Sequence, residues 1–527
     1  MSKYNQVKVT PTVTNHQGGT SFQLRPELEL VGILATGLDN KFYEKESDRE
    51  KRIFELVEQV AKKDPVLLAK MLVYARSVMG QRSVTHVAAV AALKVLSGNQ
   101  VAAKLFTKRV RNKNKGGLIY RIDDMFEILA YYFMRNPAKL DINGKRIPNL
   151  PNSIKKGFKS VLENADEYEL AKYQGNGKSI SLVDIVNLVR PKPSEKMQET
   201  FKKLMKGELK QFNTAEDKQT KSGQEVAAKV KSGELTKTQA TVELKEAKAE
   251  NWKELIENDS IGYLALLRNL RNITKDASDS VFNAALNTLT NSERIRKSLV
   301  FPHQIDLAFE ILLAEGNSFG NRMATLLLAV NKAYELAIPN LTTLFSHGRT
   351  AVVVDTSGSM TSNYVTIGTS RTNKRPVDKA ALIGATLAKG TNADMYTFDT
   401  SCRKYSFNPL DTVNTIKKGI TDHANGGGTY FDRIFASLNG KYDRIFILSD
   451  EQGADSMGRG SEYASYISKN GRPFIYSVNL CGYGTTMFKE SDKIIRLFGY
   501  SKDIYEQIKV AEIDPTSILK EIQKIEL

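Results

Sequence analysis

From about residue 26 to residue 190 the apolar positions recur at the three-to-four-residue spacing of helices that lie on a core. Ile53, Val57 and Val60 mark one such face. Asp64-Pro65 then supplies a capping carboxylate followed by proline at the first helical position. Leu68, Leu72 and Ala75 continue the next face to Gly80, and Ser83 is placed to cap a helix over Val84–Leu96 that stops at Ser97-Gly98. Helical patterning returns over Val281–Leu289, Gln304–Leu313 and Asn321–Leu336. Short helices joined by short turns predict stacked antiparallel helix pairs of the HEAT-like kind, although no fixed-period repeat runs through them.

The pattern changes at Ala351–Met360, AVVVDTSGSM. Four small or β-branched apolar residues in a row suit a strand buried on both faces of a parallel sheet. Beyond it, helices over Lys379–Lys389 and Thr412–Lys418 alternate with strands over Ala393–Phe398, Arg444–Ser449 and Pro473–Asn479. Arg403–Phe407 reads as an antiparallel edge strand, and a last strand-helix pair runs from Lys493 to Lys509. This alternation predicts a doubly wound α/β sheet. The fold class expected is therefore α plus α/β: an extended or loose arm over residues 1–25, helices over 26–345, and the α/β domain over 346–527. Within the helical part, residues 195–250 carry many Lys, Glu, Gln and Ala and few large apolar residues, which reads as a charged helical insertion. Trp252 would anchor the return to the core.

The strand at 351 ends in a carboxylate and two hydroxyls, Asp355, Ser357 and Ser359, at the edge where open α/β sheets bind ligands. Oxygen donors of this kind suit a hard divalent cation such as Mg²⁺. The alternative is that the two serines cap the next helix. The pattern D-x-S-x-S after an apolar strand resembles the metal-ion-dependent adhesion site of von Willebrand factor A domains. That resemblance implies two further ligands from later loops, for which Thr429, after Gly426-Gly427-Gly428, and Asp450, closing RIFILS, are the candidates. It also leaves one coordination position for a partner carboxylate or water. Asp432 lies near, but not at, the place where relatives carry an aspartate after the threonine.

Charge narrows the partner class. The 527 residues carry a net charge of +17, and 41% are hydrophobic, enough for sizeable cores beneath a positive surface field. Such a field favours a polyanion. The loop FTKRVRNKNKGGLIY, Phe106–Tyr120, combines basic residues, two glycines and a flanking tyrosine, which suits phosphate contacts beside a stacked base. No run of eighteen apolar residues is present and the N-terminus has no apolar stretch, so neither a membrane span nor a secretory signal is expected. With only Cys402 and Cys481, far apart, a disulfide framework or a cysteine-based zinc site is not expected either. A cytoplasmic protein is the expectation.

The segments LPNSIKKG (from Leu150), LAKY (Leu170–Tyr173), RPKPS (from Arg190) and ALLRNLRN (from Ala265) resemble the TROVE module of the Ro ribonucleoprotein family, over roughly residues 15–345. That family then carries a von Willebrand A domain, in the same order as here. The resemblance implies a ring of HEAT-like helices that binds small structured Y-like RNAs on its outer surface and admits single-stranded 3′ ends of misfolded non-coding RNAs. It also implies an exoribonuclease partner such as polynucleotide phosphorylase, and a monomeric protein component. Carried over residue by residue, Lys155 and Lys156 match a basic pair at the start of a family helix. Lys172 matches a lysine linked to RNA binding. Arg190 stands where the family often has histidine, Lys178 is a substitute in a loop of different length, and Lys192 follows in RPKP. His86 and His303 read as packing residues without a metal partner.

No nucleophile elbow and no convincing Ser/His/Asp or Cys/His set emerges from five histidines, so an enzyme is not expected. An RNA-binding ribonucleoprotein component in non-coding RNA quality control is the leading expectation. The runner-up is a metal-dependent protein-binding adaptor built on the A domain.

Overall fold

The structure is a computed structural model. It describes residues 13–107, 116–137, 139–140, 146–147, 150–175, 178–209, 215–298, 300, 302–338, 348–362, 375–457, 460–500, 504–514 and 517–527. The centre of the basic loop 106–120, most of the loop 361–373 and the side chain of His303 lie outside the described residues. The chain is mostly helical with a mixed sheet, and it divides into two units.

The first unit comprises Met1–Leu209, Leu341–Asp411 and Thr415–Leu527. Its helices begin with Pro26–Thr36, Glu46–Lys63, Pro65–Ser77 and Ser83–Val95. Ile53, Leu56, Val57 and Val60 are buried along one stripe, as the spacing predicts. Asp64 caps as expected, its carboxylate accepting from the amides of Val66 and Leu67. Ser83 does not cap: Arg82 holds that position and the Ser83 hydroxyl instead donates to Glu127. Of the arm expected as extended or loose, residues 13–23 are extended: they contain β1 (Val13–Thr14) and β2 (Thr20–Gln23), paired with each other. A two-stranded pair β3 (Lys139–Leu140) and β4 (Arg146–Ile147) follows the helix Ile122–Arg135.

The sheet of this unit contains β5 (Thr350–Asp355), β6 (Asp394–Phe398), β7 (Cys402–Tyr405), β8 (Arg444–Ser449), β9 (Phe474–Asn479) and β11 (Ile494–Phe498). Its order is β11-β9-β8-β5-β6-β7, parallel throughout except for the antiparallel edge β7. Ala351 and Val353 enter one aromatic-rich core with Phe398, Phe431 and Ile447. On the other face Gly384 of the helix Pro376–Thr391 comes so near that an added Cβ would lie 2.7 Å from Val354 Cγ2. Both faces of β5 are thus covered, which is why its sequence is uniformly apolar. A short strand β10 (Thr485–Thr486) pairs with β2 and joins the first residues of the chain to the last third. Phe498, Ile518, Ile522 and Ile525 enter the same core as the N-terminal helices.

The second unit is Lys210–Asn340 with Thr412–Asn414. The charged insertion is two long helices, Ala215–Lys231 and Lys237–Glu257, that pack on each other, with Lys229 paired to Glu243. Trp252 is buried at the foot of the second, as anticipated.

Candidate nucleic-acid interface and cation site

The basic candidates are held by short helices on the first unit. Helix Asn152–Glu163 buries Ile154, Phe158, Val161 and Leu162 and carries Lys155, half-buried, and Lys156, exposed. Gly157 is needed there, because a Cβ would fall 2.5 Å from that of Phe106. Asp166 and Glu169 form a reciprocal cap on helix Glu167–Lys172. That cap fixes the turn on which Tyr168, Lys172 and Tyr173 stand. The Lys172 ammonium lies 5.4 Å from the centre of the Tyr168 ring and 5.6 Å from that of Tyr173. Arg121 covers Tyr173 at 5.4 Å, and Lys178 covers Phe126 at 5.9 Å. Tyr120 is 48% and Tyr168 45% exposed. A ring with one open face and a cation nearby is the combination that stacks a nucleobase beside its phosphate.

Beneath this strip lies a buried charge network. Asp124, fully buried, accepts from Nε and Nη2 of Arg76 at 2.9–3.2 Å, from Arg82 Nε at 3.0 Å, and from the amides of Tyr120 and Arg121 at 3.0 Å each. Arg76 in turn lies 5.2 Å under the Tyr120 ring. Burial opposes ionisation of Asp123, but the guanidinium groups of Arg121 and Arg82 outweigh it and hold the carboxyl below its usual range. Likewise Glu127, despite burial, is held at about 2 by His86, Ser83 and Arg82. His86 is buried with Nδ1 2.9 Å from Glu127, while its Nε2 is buried without a hydrogen-bond partner, 3.5 Å from Asp124 Oδ1.

Arg190 closes helix Leu182–Val189 in the left-handed region, φ 49°, with its side chain exposed. The Lys192 amide donates to Glu163 Oε1 at 2.7 Å, which sets Arg190 and Lys192 beside the end of helix Asn152–Glu163. The structure thus gathers Lys172 with Arg121, Tyr168 and Tyr173, leaves Lys178 on the Phe126 ring, and sets Arg190 and Lys192 at the foot of the neighbouring helix. It shows no direct contact that would join Lys155 and Lys156 to either group among the described residues.

Four of the five oxygen donors of the second candidate site, Asp355, Ser357, Ser359 and Asp450, are linked to one another, and Thr429 follows the glycine-rich loop that packs on their turn. β5 delivers Asp355 beside Ser449 of β8, whose hydroxyl donates to Asp355 Oδ2 at 2.5 Å. The Ser357 amide donates to Asp355 Oδ1 at 2.9 Å, and Ser357 Oγ is 3.4 Å from Ser359 Oγ. The glycine-rich loop packs on this turn: the Gly358 amide donates to Gly427 O at 2.9 Å, and Gly426 has φ +73°. Asp450 follows β8 and accepts from the Gln452 amide and from Ser359. All five side chains are buried. Ser357 stands at the N-cap of the short helix Gly358–Thr361 but makes no side-chain capping bond, so the capping alternative does not account for it.

Burial raises the Asp450 carboxyl well above the usual range, and the Asp355 charge adds to it; burial raises Asp355 as well. Thr429 Oγ1 and Asp450 Oδ2 are buried without a hydrogen-bond partner. Two close carboxylates and two orphaned oxygens fit a divalent cation, since an ion would satisfy what the protein leaves unpaired. Among the described residues no group of three or more His, Cys, Asp or Glu could hold a metal; this donor set is hydroxyl-rich instead. Asp432 is turned elsewhere, accepting from the amides of Glu462 and Tyr463 at the start of the helix Glu462–Asn470.

The family model of the TROVE domain matches residues 23–247 and 234–316. The chain belongs to the TROVE family. The matched stretches include every basic candidate above and end before β5. The fold is similar to the crystal structure of the Ro (RSR) protein of Deinococcus radiodurans, with a TM-score of 0.51 and 16% identity, covering 92% of this chain and 99% of that one. No curated protein matches the chain. Membership makes this a Ro-type protein, of an RNA-binding class. No helix among the described residues of this TROVE protein is long and apolar enough to cross a membrane.

Several contributors escape sequence reasoning. Tyr43 lies more than three hundred residues before the motif at Asp355, yet its hydroxyl bonds to Ser359 and its ionisation is pushed up to about 12 by burial and the Asp450 charge. Arg49 is fully buried, bonding Cys481 O, Glu44, Thr36 and Gly37 O. A charged residue on an otherwise apolar helical stripe was the one available signal. For Arg121 the signal was composition, the basic loop that ends just before it; Tyr173 was in view only as the last residue of LAKY.

Proposed function

We propose that this Ro-type protein binds small structured, Y-like non-coding RNAs on its basic outer surface and receives single-stranded 3′ ends of misfolded RNAs in the ring that the family resemblance implies. It would serve non-coding RNA quality control as a binding component rather than an enzyme. The observation that carries this reading is the strip of half-exposed tyrosines and cations, Tyr120, Arg121, Tyr168, Lys172 and Tyr173, underlain by the Asp124 network. Arg121 is engaged by Asp123 and steadies the Tyr173 ring; Lys172, beside the Tyr168 and Tyr173 rings, and Lys178 would meet phosphate. Arg190 and Lys192 would extend the track. The net charge of +17 supplies the long-range attraction. A gel-shift titration with a structured RNA carrying a single-stranded 3′ tail, against blunt duplex at several salt concentrations, tests it. Tighter, salt-dependent binding of the tailed RNA is expected; equal weak binding of both would refute it.

These oxygens favour a second activity in the α/β part. Asp355, Ser357, Ser359, Thr429 and Asp450 would hold Mg²⁺ in the manner of a von Willebrand A domain, and the orphaned Thr429 and Asp450 oxygens support that. The ion would neutralise two aspartates and present one position to an oxygen ligand. On the adaptor reading that ligand is a partner protein's carboxylate, an exoribonuclease being the partner the resemblance implies. Loss of a protein partner on Asp355→Ala, with RNA binding intact, would favour it.

A further inference from the structure

The oxygen cluster is covered by the chain's own N-terminal segment. Asn15 Nδ2 donates to Gly453 O at 2.7 Å, and the His16 amide donates to Gln452 Oε1 at 3.0 Å, two residues beyond Asp450. An added Cβ on Gly19 would lie 2.1 Å from Gly453 O, so only glycine lets the β1–β2 turn lie this close. The His16 ring stacks on Tyr43 at 5.0 Å with planes 3° apart, and both rings meet Tyr483 edge-on at 5.3 and 5.7 Å. Gln17 Nε2 donates to the Tyr43 hydroxyl at 2.6 Å. That hydroxyl is also hydrogen-bonded to Ser359, and Ser359 to Asp450. A line of hydrogen bonds therefore runs from Gln17 through Tyr43 and Ser359 to Asp450. Ordinary core packing would need only the rings. A phenol oxygen aimed at one of the five donors is a polar feature with a use.

We propose that the cation acts as an internal latch: Tyr43 closes the side of the site that an outside carboxylate would use, and Mg²⁺ fastens residues 13–49 onto the α/β sheet. This rests on the cation-site reading above and runs against the adaptor version of it. Asp355, Ser357, Ser359, Thr429 and Asp450 would hold the ion, whose charge would offset the two carboxylates, and Ser359 would pass that restraint to Tyr43 through their hydrogen bond. β2, paired with β10, and Arg49, bonded to Cys481 O, carry the same fastening along the segment.

The test uses the full chain and Mg²⁺ alone, with calorimetric titration and hydrogen–deuterium exchange of residues 13–49 with and without the ion. Tyr43→Phe keeps the ring between His16 and Tyr483 and removes only the hydroxyl; Asp450→Asn removes a donor. The latch predicts that Mg²⁺ slows exchange in residues 13–49 of the wild type. It predicts that Tyr43→Phe binds Mg²⁺ about tenfold more weakly, as loss of an outer hydrogen bond typically does, and loses that protection. Asp450→Asn should abolish the binding heat. Mg²⁺ binding with unchanged exchange in 13–49, or with full affinity in Tyr43→Phe, would overturn the latch alone. No Mg²⁺ binding by the wild type would overturn the cation site and the latch together.

Discussion

Asp124→Ala tests whether the charge network beneath the tyrosine strip is what presents it. The side chain is fully buried and accepts from two guanidinium groups and two amides, Tyr120 and Arg121. Removing it leaves Arg76, itself buried, without its bidentate partner. Breaking a buried ion pair from one side typically costs about 3–5 kcal/mol, because an uncompensated charge stays behind. Two orphaned amides add to this, whereas Arg82 keeps Asp123 and Glu127, which limits its share. The expected result is a melting temperature several degrees lower, with faster amide exchange at Tyr120 and Arg121 and weaker binding of tailed RNA. Asp124→Asn keeps the shape and one acceptor and should lie between. A variant that melts within a degree of wild type, with unchanged exchange at 120 and 121, would show that the network neither stabilises the unit nor positions the strip.

Tyr168→Ala should weaken single-stranded RNA binding by about 1–3 kcal/mol without altering its salt dependence, since stacking releases no counterion. Lys172→Gln should instead lower the slope of log K against log salt by about 0.7, the share of one phosphate contact on a single strand; equal slopes for both variants would contradict these roles. Lys41 is buried beside Lys379 and Arg49, and burial first, then those charges, lowers its pKa to about 7 from 10.5. A lysine lowered on folding costs stability below its folded pKa, and the cost fades as pH rises from there toward 10.5. Lys41→Met should therefore raise the melting temperature more at pH 6 than at pH 9; the reverse order would refute the assignment. Asp355 and Asp450 are raised on folding, so their contribution is present at acid pH and lost as pH climbs above the ordinary carboxylate range. The cation-free chain should melt progressively lower toward pH 8, and Mg²⁺ should remove that decline; a melting curve indifferent to Mg²⁺ at pH 8 would count against the site.

Local sequence was enough for the helices over Glu46–Lys63, Pro65–Ser77 and Ser83–Val95, the Asp64 cap and the uninterrupted apolar run of β5. These are local matters: a 3.6-residue stripe or a doubly buried strand is written in adjacent residues, and so is the D-x-S-x-S turn that follows. The family was legible in LPNSIKKG, LAKY and ALLRNLRN for the same reason. Tertiary structure decided what depends on contacts between distant residues. Asp450 meets Asp355 only because β8 pairs with β5, and Thr429 is placed by the Gly426–Gly428 loop packing on the turn after β5. Asp432, near in sequence to Thr429, turns instead to the start of the helix Glu462–Asn470. Residues 13–23 read only as extended or loose because strands of two and four residues carry almost no periodicity, and β10, the partner of β2, lies about 460 residues downstream in number and beside it in space. Tyr43 and Arg49 were illegible for a related reason: a phenol over a cation site and a guanidinium bonded to a distant carbonyl are recognisable only once the partners they serve are in place.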